Sequence, residues 1–207
     1  MTKKPDFSLE KRSPFEKIAG IDEAGCGPWA GPVVAASVIF LKYDEHQWST
    51  INDSKKLSAK KREQCYEALV SSTDVVYSIG IANAQEIDQF NIARATCLAM
   101  EKAVEGLSSI PDYLLIDGIR KPPINIPSST VIKGDSQSIS IAAASIIAKV
   151  TRDKIMYDLS IEYPNYYWHK NAGYGTAQHQ AALESHGITP HHRKSFAPIR
   201  ALLGVAV

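Results

Sequence analysis

The feature that most narrows the fold is an almost unbroken apolar run, VVAASVIF from Val33 to Phe40, which follows KIAGID across the turn AGCGPWAGP. A run of this length and β-branched content after a Gly- and Pro-rich turn reads as a buried strand, and the looser alternation of Lys17 to Asp22 reads as the strand before it. A helix comes next, within NDSKKLSAKKREQCYEALVSS, with Ser58 as its N-cap and Leu57, Cys65, Ala68 and Leu69 as its apolar stripe. DVVYSIGIA is a third strand, and Ala84 to Glu105 places Ile87, Phe90, Ile92, Ala95, Leu98 and Ala99 at the spacing of an amphipathic helix. DYLLID is a short strand ending in an acid, TVIK is another just before GDSQ, and Ile139 to Tyr157 is a long helix. The sheet elements therefore end near Lys133.

Beyond Pro164 the chain is rich in aromatic residues, Gly and His, with one helical run from Thr176 to His186 and a final SFAPIRALL segment. Tyr163, Tyr166, Tyr167 and Trp168 are expected to pack between this lobe and the core. Early strands in succession and later ones alternating with helices predict an α/β fold with a mixed sheet. The expected layout is a polar N-terminal extension over 1–16, a core over 17–160 and a C-terminal helical lobe over 161–207, together one structural domain.

Composition serves mainly to exclude. With 207 residues, 44% hydrophobic and 22% charged, the chain has room for a real core. No apolar run reaches the ~18 residues of a membrane span. Met1 to Pro14 is polar and charged, so no secretory signal is expected and the cytoplasm is the default. Cys26, Cys65 and Cys97 form no CxxC pair and are odd in number, against both structural zinc and a disulfide framework. Lys plus Arg number 23 against 22 acids, and this balance gives no global sign of nucleic acid.

Four acids fall where chemistry is expected. Asp22 and Glu23 close the first strand, Asp117 closes DYLLID, and Asp135 follows TVIK. Acids gathered at strand ends suit a metal site at one edge of a sheet. Adjacent strand residues point to opposite faces, so Asp22 and Glu23 share a site only if the strand twists or breaks, and the AGCG turn supplies a break. Four carboxylates together repel one another unless cations neutralise them, and oxygen-only ligation suits Mg²⁺ or Mn²⁺. Taken singly, each acid reads more readily as a solvated cap or turn residue, and the Asp–Gly and Gly–Asp pairs read equally as plain turns.

The turn also contains GxGxxA from Gly25 through Gly27 to Ala30, the spacing of a dinucleotide loop. That pattern must open a helix, whereas Pro28 and Pro32 lead into a strand here. A tight glycine turn can instead present N–H groups to a nucleic-acid backbone. Lys55, Lys56, Lys60, Lys61 and Arg62 form a basic run that reads as a solvated helix face or as phosphate contacts. Six histidines without flanking Cys or an HExxH pattern make no zinc site. Tyr174, between Gly173 and Gly175, is the aromatic best placed to stack on a sugar or base.

Taken in order, GIDEAGCGPWAGPVVAA, NDSKKLSAKKRE, LLIDG, KGDSQSISIAAASIIAKVTRD and GYGTAQHQ with HHRKSFAPI resemble the ribonuclease HII family from Ile18 to Ile199. The resemblance implies a ribonuclease H-like fold, a mixed five-stranded sheet with surrounding helices and a C-terminal helical part. It assigns metal-binding and catalytic roles to Asp22, Glu23, Asp117 and Asp135, and a supporting structural role to Asp153. It implies two-metal phosphodiester hydrolysis with Mg²⁺ or Mn²⁺, leaving 3′-hydroxyl and 5′-phosphate ends. The implied substrate is the RNA strand of an RNA–DNA hybrid, or a ribonucleotide embedded in duplex DNA, told from DNA by its 2′-hydroxyl. Gly25, Cys26, Gly27, Lys55, Lys56 and Tyr174 are the implied substrate-binding residues, Tyr174 at the RNA-to-DNA junction.

Two departures stand out. Where the family reads Gly-Arg-Gly, this chain has Gly25–Cys26–Gly27, a small thiol in place of a guanidinium. Asn171–Ala172 is an insertion ahead of the GYG string that bears on where Tyr174 lands. The rivals are the sister ribonuclease HIII family, whose additional N-terminal domain finds no room ahead of Lys17, a non-catalytic nucleic-acid-binding protein, and a small-molecule phosphohydrolase with a deep enclosed pocket. No heptad or exposed apolar stripe demands a dimer, so a monomer is expected.

Overall fold

The apolar run finds its reason in a sheet covered on both faces. The computed structural model describes residues 4–204. Among them, β1 (Ile18–Ala24), β2 (Val33–Phe40), β3 (Val75–Ala82), β4 (Tyr113–Asp117) and β5 (Ser128–Val131) form one five-stranded sheet in the order β3-β2-β1-β4-β5. β1 pairs antiparallel with β2 and β2 with β3, while β4 runs parallel to β1 and β5 to β4. The predicted mixed α/β sheet is therefore present. Its last strand covers Ser128–Val131, slightly earlier than TVIK suggested.

Alternate residues of β2 serve two separate cores. Val34, Ala36, Val38 and Phe40 pack under α4 (Ile139–Glu162), and Val33, Ala35 and Ile39 under α3 (Ala84–Glu105). Every residue from Ile139 to Ala148 is buried, which makes α4 the central helix. It comes so close to β1 that a Cβ on Gly20 would lie 2.2 Å from the Ser140 carbonyl carbon. α3 matches the predicted span but is broken at Asn91 (φ 64), whose Oδ1 accepts the N–H groups of Ala93 and Arg94 and caps the second part. α2 (Ala59–Ser71) starts at the expected cap, Ser58. It buries Cys65 and Leu69, while Ala68 stays exposed because the stripe is narrower than its spacing implied.

The polar stretch predicted as an extension over 1–16 does more than extend. Within α1 (Ser8–Arg12) and just before it, Phe7 is fully buried edge-on to Phe40, and Glu10 accepts hydrogen bonds from Ser138 Oγ at 2.6 Å and Ser140 N at 3.1 Å. One apolar and one acidic side chain thus dock this segment on the start of α4. At the other end, α5 (Trp168–Asn171), α6 (Ala177–His186) and α7 (Ala197–Leu202) surround a cluster that includes Ala30, Met156, Tyr166, Trp168 and Leu183. Tyr166 and Trp168 pack as expected, whereas Tyr167, with φ 56, turns outward. None of the described helices is long and apolar enough to cross a membrane.

Candidate active site

The cleft opens where the sheet parts. Pairing of β1 with β4 stops at Ile21↔Ile116, but pairing with β2 continues to Ala24↔Val34. Strand alternation puts Asp22 on the α4 face with Gly20, and Glu23 on the α3 face with Ile21. Both border the same cleft because β1 has lost its parallel neighbour there. The expected break at the AGCG turn is thus not what unites them, since β1 runs on through Ala24. Asp117 ends β4, and its Oδ1 accepts the Gly134 N–H at 2.6 Å, which ties that strand end to the turn bearing Asp135.

The resulting cleft, of about 230 Å³, is bordered by all four acids, by Gly25–Gly27, and by Lys55, Lys149, Arg152 and Tyr174. Its volume lies below the ~300 Å³ at which drug-sized pockets begin, against an enclosed small-molecule site. A larger groove of about 770 Å³ lies beside α2 with Lys4, Lys56 and Lys61 on its walls, but none of the four acids borders it. Chemistry, not size, selects the smaller cleft.

Electrostatics mark it as strained. Burial, followed by the charges of Glu23, Asp117 and Asp135, raises the Asp22 carboxyl well above its ordinary range. Burial and Asp117 raise Glu23, opposed by the Cys26 thiol, Arg120 and Lys55. Asp135 is raised by burial and by Asp53, with Lys55 opposing. Desolvated carboxylates that repel one another are a donor set suited to a hard divalent cation, which removes the repulsion. As the side chains stand, no three acidic, His or Cys groups among the described residues close on one point. Their oxygens are engaged locally instead, Asp22 Oδ1 with the Glu23 N–H at 2.7 Å and Glu23 Oε1 with Cys26 Sγ at 3.6 Å.

Opposite the acids, two buried arginines hold the glycine turn from behind. Arg193 donates to the carbonyls of Gly25 at 2.6 Å, Cys26 at 3.0 Å and Gly31 at 3.0 Å. Arg152 donates to those of Ala30, Pro32 and Ala172. The carbonyls of Gly25 and Cys26 are thus committed to Arg193, while no acceptor among the described residues takes the N–H groups of Gly25, Cys26 and Gly27, which border the cleft. Gly25 has φ +100, and a Cβ there would strike Arg152 Nε at 2.1 Å, so only glycine fits. The Tyr174 ring passes beside Gly27, with Cε1 3.5 Å from where a Cβ would be.

Of the residues expected to bind substrate, Gly25, Cys26, Gly27, Lys55 and Tyr174 border the cleft, and Lys56 does not. Lys56 instead reaches Ser136 Oγ at 3.1 Å, next to Asp135. Cys26 Sγ is half-buried against Glu23 and Thr96 Oγ1. After Asn171 the chain turns left-handed at Ala172 and Gly173, with Asn171 Oδ1 accepting the Gly173 N–H at 2.8 Å, and Tyr174 borders the cleft. Asp153 lies outside, paired with Lys149 at 2.6 Å. Sequence reasoning missed Arg152, Arg193, Lys149 and Asp53. The arginines do stand in KVTRD and HHRKS, but buried guanidinium groups have no periodicity to betray them.

A mixed sheet of this order with an acid-lined cleft at its opening defines a ribonuclease H-like hydrolase. The family model for "Ribonuclease HII" matches residues 19–199. A ribonuclease HII of Wolbachia pipientis subsp. Culex pipiens (strain wPip) is 50% identical over 200 residues, 97% of this chain and all of that one. The ribonuclease H2 structure from Pyrococcus horikoshii OT3 superposes with a TM-score of 0.78 at 25% identity, over 90% of this chain and 96% of that one. Bst-RNase HIII in complex with Mn²⁺ shares the fold, with a TM-score of 0.69 at 19% identity over 91% of this chain and 70% of that one. The chain belongs to the ribonuclease HII family, metal-dependent endonucleases with ribonuclease H activity on RNA–DNA hybrids.

Proposed function

We propose that this enzyme cuts single ribonucleotides embedded in duplex DNA as well as continuous hybrids, by two-metal hydrolysis leaving 3′-hydroxyl and 5′-phosphate ends. The observation that carries this reading is the pairing, across one cleft, of four acids with a glycine turn whose N–H groups no described acceptor takes, and with an exposed tyrosine. Asp22, Glu23, Asp117 and Asp135 would hold Mg²⁺ or Mn²⁺, which when bound activates water and stabilises the leaving 3′ oxygen. The N–H groups of Gly25, Cys26 and Gly27 meet the ribose 2′-hydroxyl and adjoining phosphate, the only place where RNA differs from DNA in the backbone. Tyr174 stacks at the junction, while Lys55 and Lys149 attract the phosphates.

One observation favours a narrower reading. Cys26 directs a thiol, held up to about 11 by burial first and by Glu23, toward the interior, and so offers the phosphate no cation. On that reading, continuous hybrids are cut and lone ribonucleotides are not. The test is cleavage with Mg²⁺ or Mn²⁺ of a DNA duplex bearing one ribonucleotide, a continuous hybrid and an all-DNA duplex, by the native enzyme and by Asp22→Asn. Cutting on the 5′ side of the lone ribonucleotide, lost in Asp22→Asn, is expected. Cutting of the continuous hybrid alone would establish the narrower reading.

A further inference from the structure

Behind the cleft, two histidines that the proposed chemistry does not use lie buried side by side. His179 in α6 and His192 beyond it are 0% and 1% exposed, and their Nε2 atoms stand 3.0 Å apart. Their outer partners dictate where the protons sit. The Thr189 N–H points at His192 Nδ1 over 2.9 Å, so that nitrogen accepts and the proton of neutral His192 is on Nε2. His192 Nε2–H then donates to His179 Nε2, which also receives the Trp168 indole N–H at 3.3 Å. His179 is left with its proton on Nδ1 and donates it to the Tyr174 carbonyl at 3.0 Å. The chain runs one way, from Thr189 through His192 and His179 to Tyr174.

Both ends of this chain grip the loop after the glycine turn. Beside Tyr174, the Gly173 carbonyl accepts the Trp29 N–H at 2.8 Å. Beside His192, Gly31 N–H donates to the His191 carbonyl at 2.9 Å and Arg193 N–H to the Trp29 carbonyl at 2.8 Å. We propose that His179 and His192 are positioning residues for the recognition face of the cleft: the neutral pair holds the Tyr174 carbonyl and so sets the Tyr174 ring beside Gly27. This rests on the reading that Tyr174 and the glycine turn engage the ribonucleotide. A second proton on either ring sets two N–H groups face to face and breaks the chain. Burial first, then the neighbouring imidazole, holds His192 down to about 3, and burial lowers His179. The titratable and charged side chains around the pair are Tyr166, His191 and Arg193. Tyr166 Oη donates to the Gly187 carbonyl at 2.9 Å, and the Arg193 guanidinium is turned to the glycine turn. Among the described residues, no carboxylate is among the groups acting on either ring.

The test contrasts two substitutions. In His192→Asn the amide oxygen keeps an acceptor for the Thr189 N–H but leaves no donor for His179, whereas His192→Gln places an amide N–H near the position of Nε2. Expected for His192→Asn is about a tenfold fall in kcat/KM on the lone-ribonucleotide duplex with less than about threefold on the continuous hybrid, while His192→Gln stays within about threefold on both. In protein grown on fluorotyrosine, with Tyr174 assigned through Tyr174→Phe, fluorine NMR should show the Tyr174 resonance displaced in His192→Asn and unmoved in His192→Gln. An unmoved Tyr174 resonance in His192→Asn, or equal losses in both variants on both substrates, overturns the proposal. If the native enzyme leaves the lone ribonucleotide intact, the recognition reading fails, and the fluorine spectrum still decides whether the pair positions Tyr174.

Discussion

At the scale of single residues, Asp22 shows function set against stability. Its carboxylate is buried among Glu23, Asp117 and Asp135, and among the described residues only the Glu23 N–H offsets that cost. Asp22→Asn keeps an oxygen for that N–H and removes the charge. It should raise the thermal midpoint, by an amount equivalent to about 1–2 kcal/mol, while lowering cleavage at least about a hundredfold. Melting curves and single-turnover rates check both halves, and a variant that loses stability along with activity would contradict this account. The four acids were legible because each closes or follows a strand-like run. Arg193 was not, because a buried guanidinium spending its donors on the carbonyls of Gly25, Cys26 and Gly31 looks in sequence like any surface arginine.

At the scale of elements, the site depends on α4 lying directly on β1. Gly20 leaves room for the backbone of Ser140, and from that crossing α4 carries Ser145, Lys149 and Arg152 past the acids. Gly20→Ala should destabilise by about 3 kcal/mol, because the clash is with backbone that cannot move aside as a side chain would. Urea denaturation measures this, and a change below about 1 kcal/mol would show that α4 can shift. The helical period gave both ends of α3. It missed the break at Asn91, since a side chain that caps the second half from within leaves the apolar spacing intact.

At the scale of the whole molecule, two linked equilibria should be visible. Mg²⁺ or Mn²⁺ relieves the repulsion among the acids, so either ion should raise the melting temperature of the native chain, by about 2.7 kcal/mol in stability at a hundred times the dissociation constant, and much less in Asp22→Asn. Chelation should reverse the rise and abolish cleavage. His192 works in the opposite pH direction to the acids. The unfolded chain protonates it near 6.5 and the folded chain only near 3, so its contribution is full above pH 6.5 and drains away as pH falls toward 3. Between pH 6.5 and pH 5 that loss is about 2 kcal/mol. Asp22, raised in the folded state, favours folding at low pH and loses that benefit as pH rises, which partly masks the loss. Asp22→Asn should therefore lose stability more steeply than the native chain as pH falls toward the ordinary carboxylate range of about 4, as measured by melting from neutral pH downward.

By itself the sequence determined the elements, the mixed sheet and the candidate acids, because strand runs, caps and helical spacing are local patterns written along the chain. Only the tertiary structure decided that Asp22 and Glu23 reach one cleft from opposite faces of β1, that Phe7 and Glu10 anchor a segment that reads as polar, and that Arg152, Arg193 and the histidine pair brace the glycine turn and Tyr174. The reason is distance along the chain. Arg193 meets Gly25 across 168 residues and Glu10 meets Ser138 across 128, and no local propensity records a contact that exists only once the sheet, α4 and the C-terminal lobe have come together.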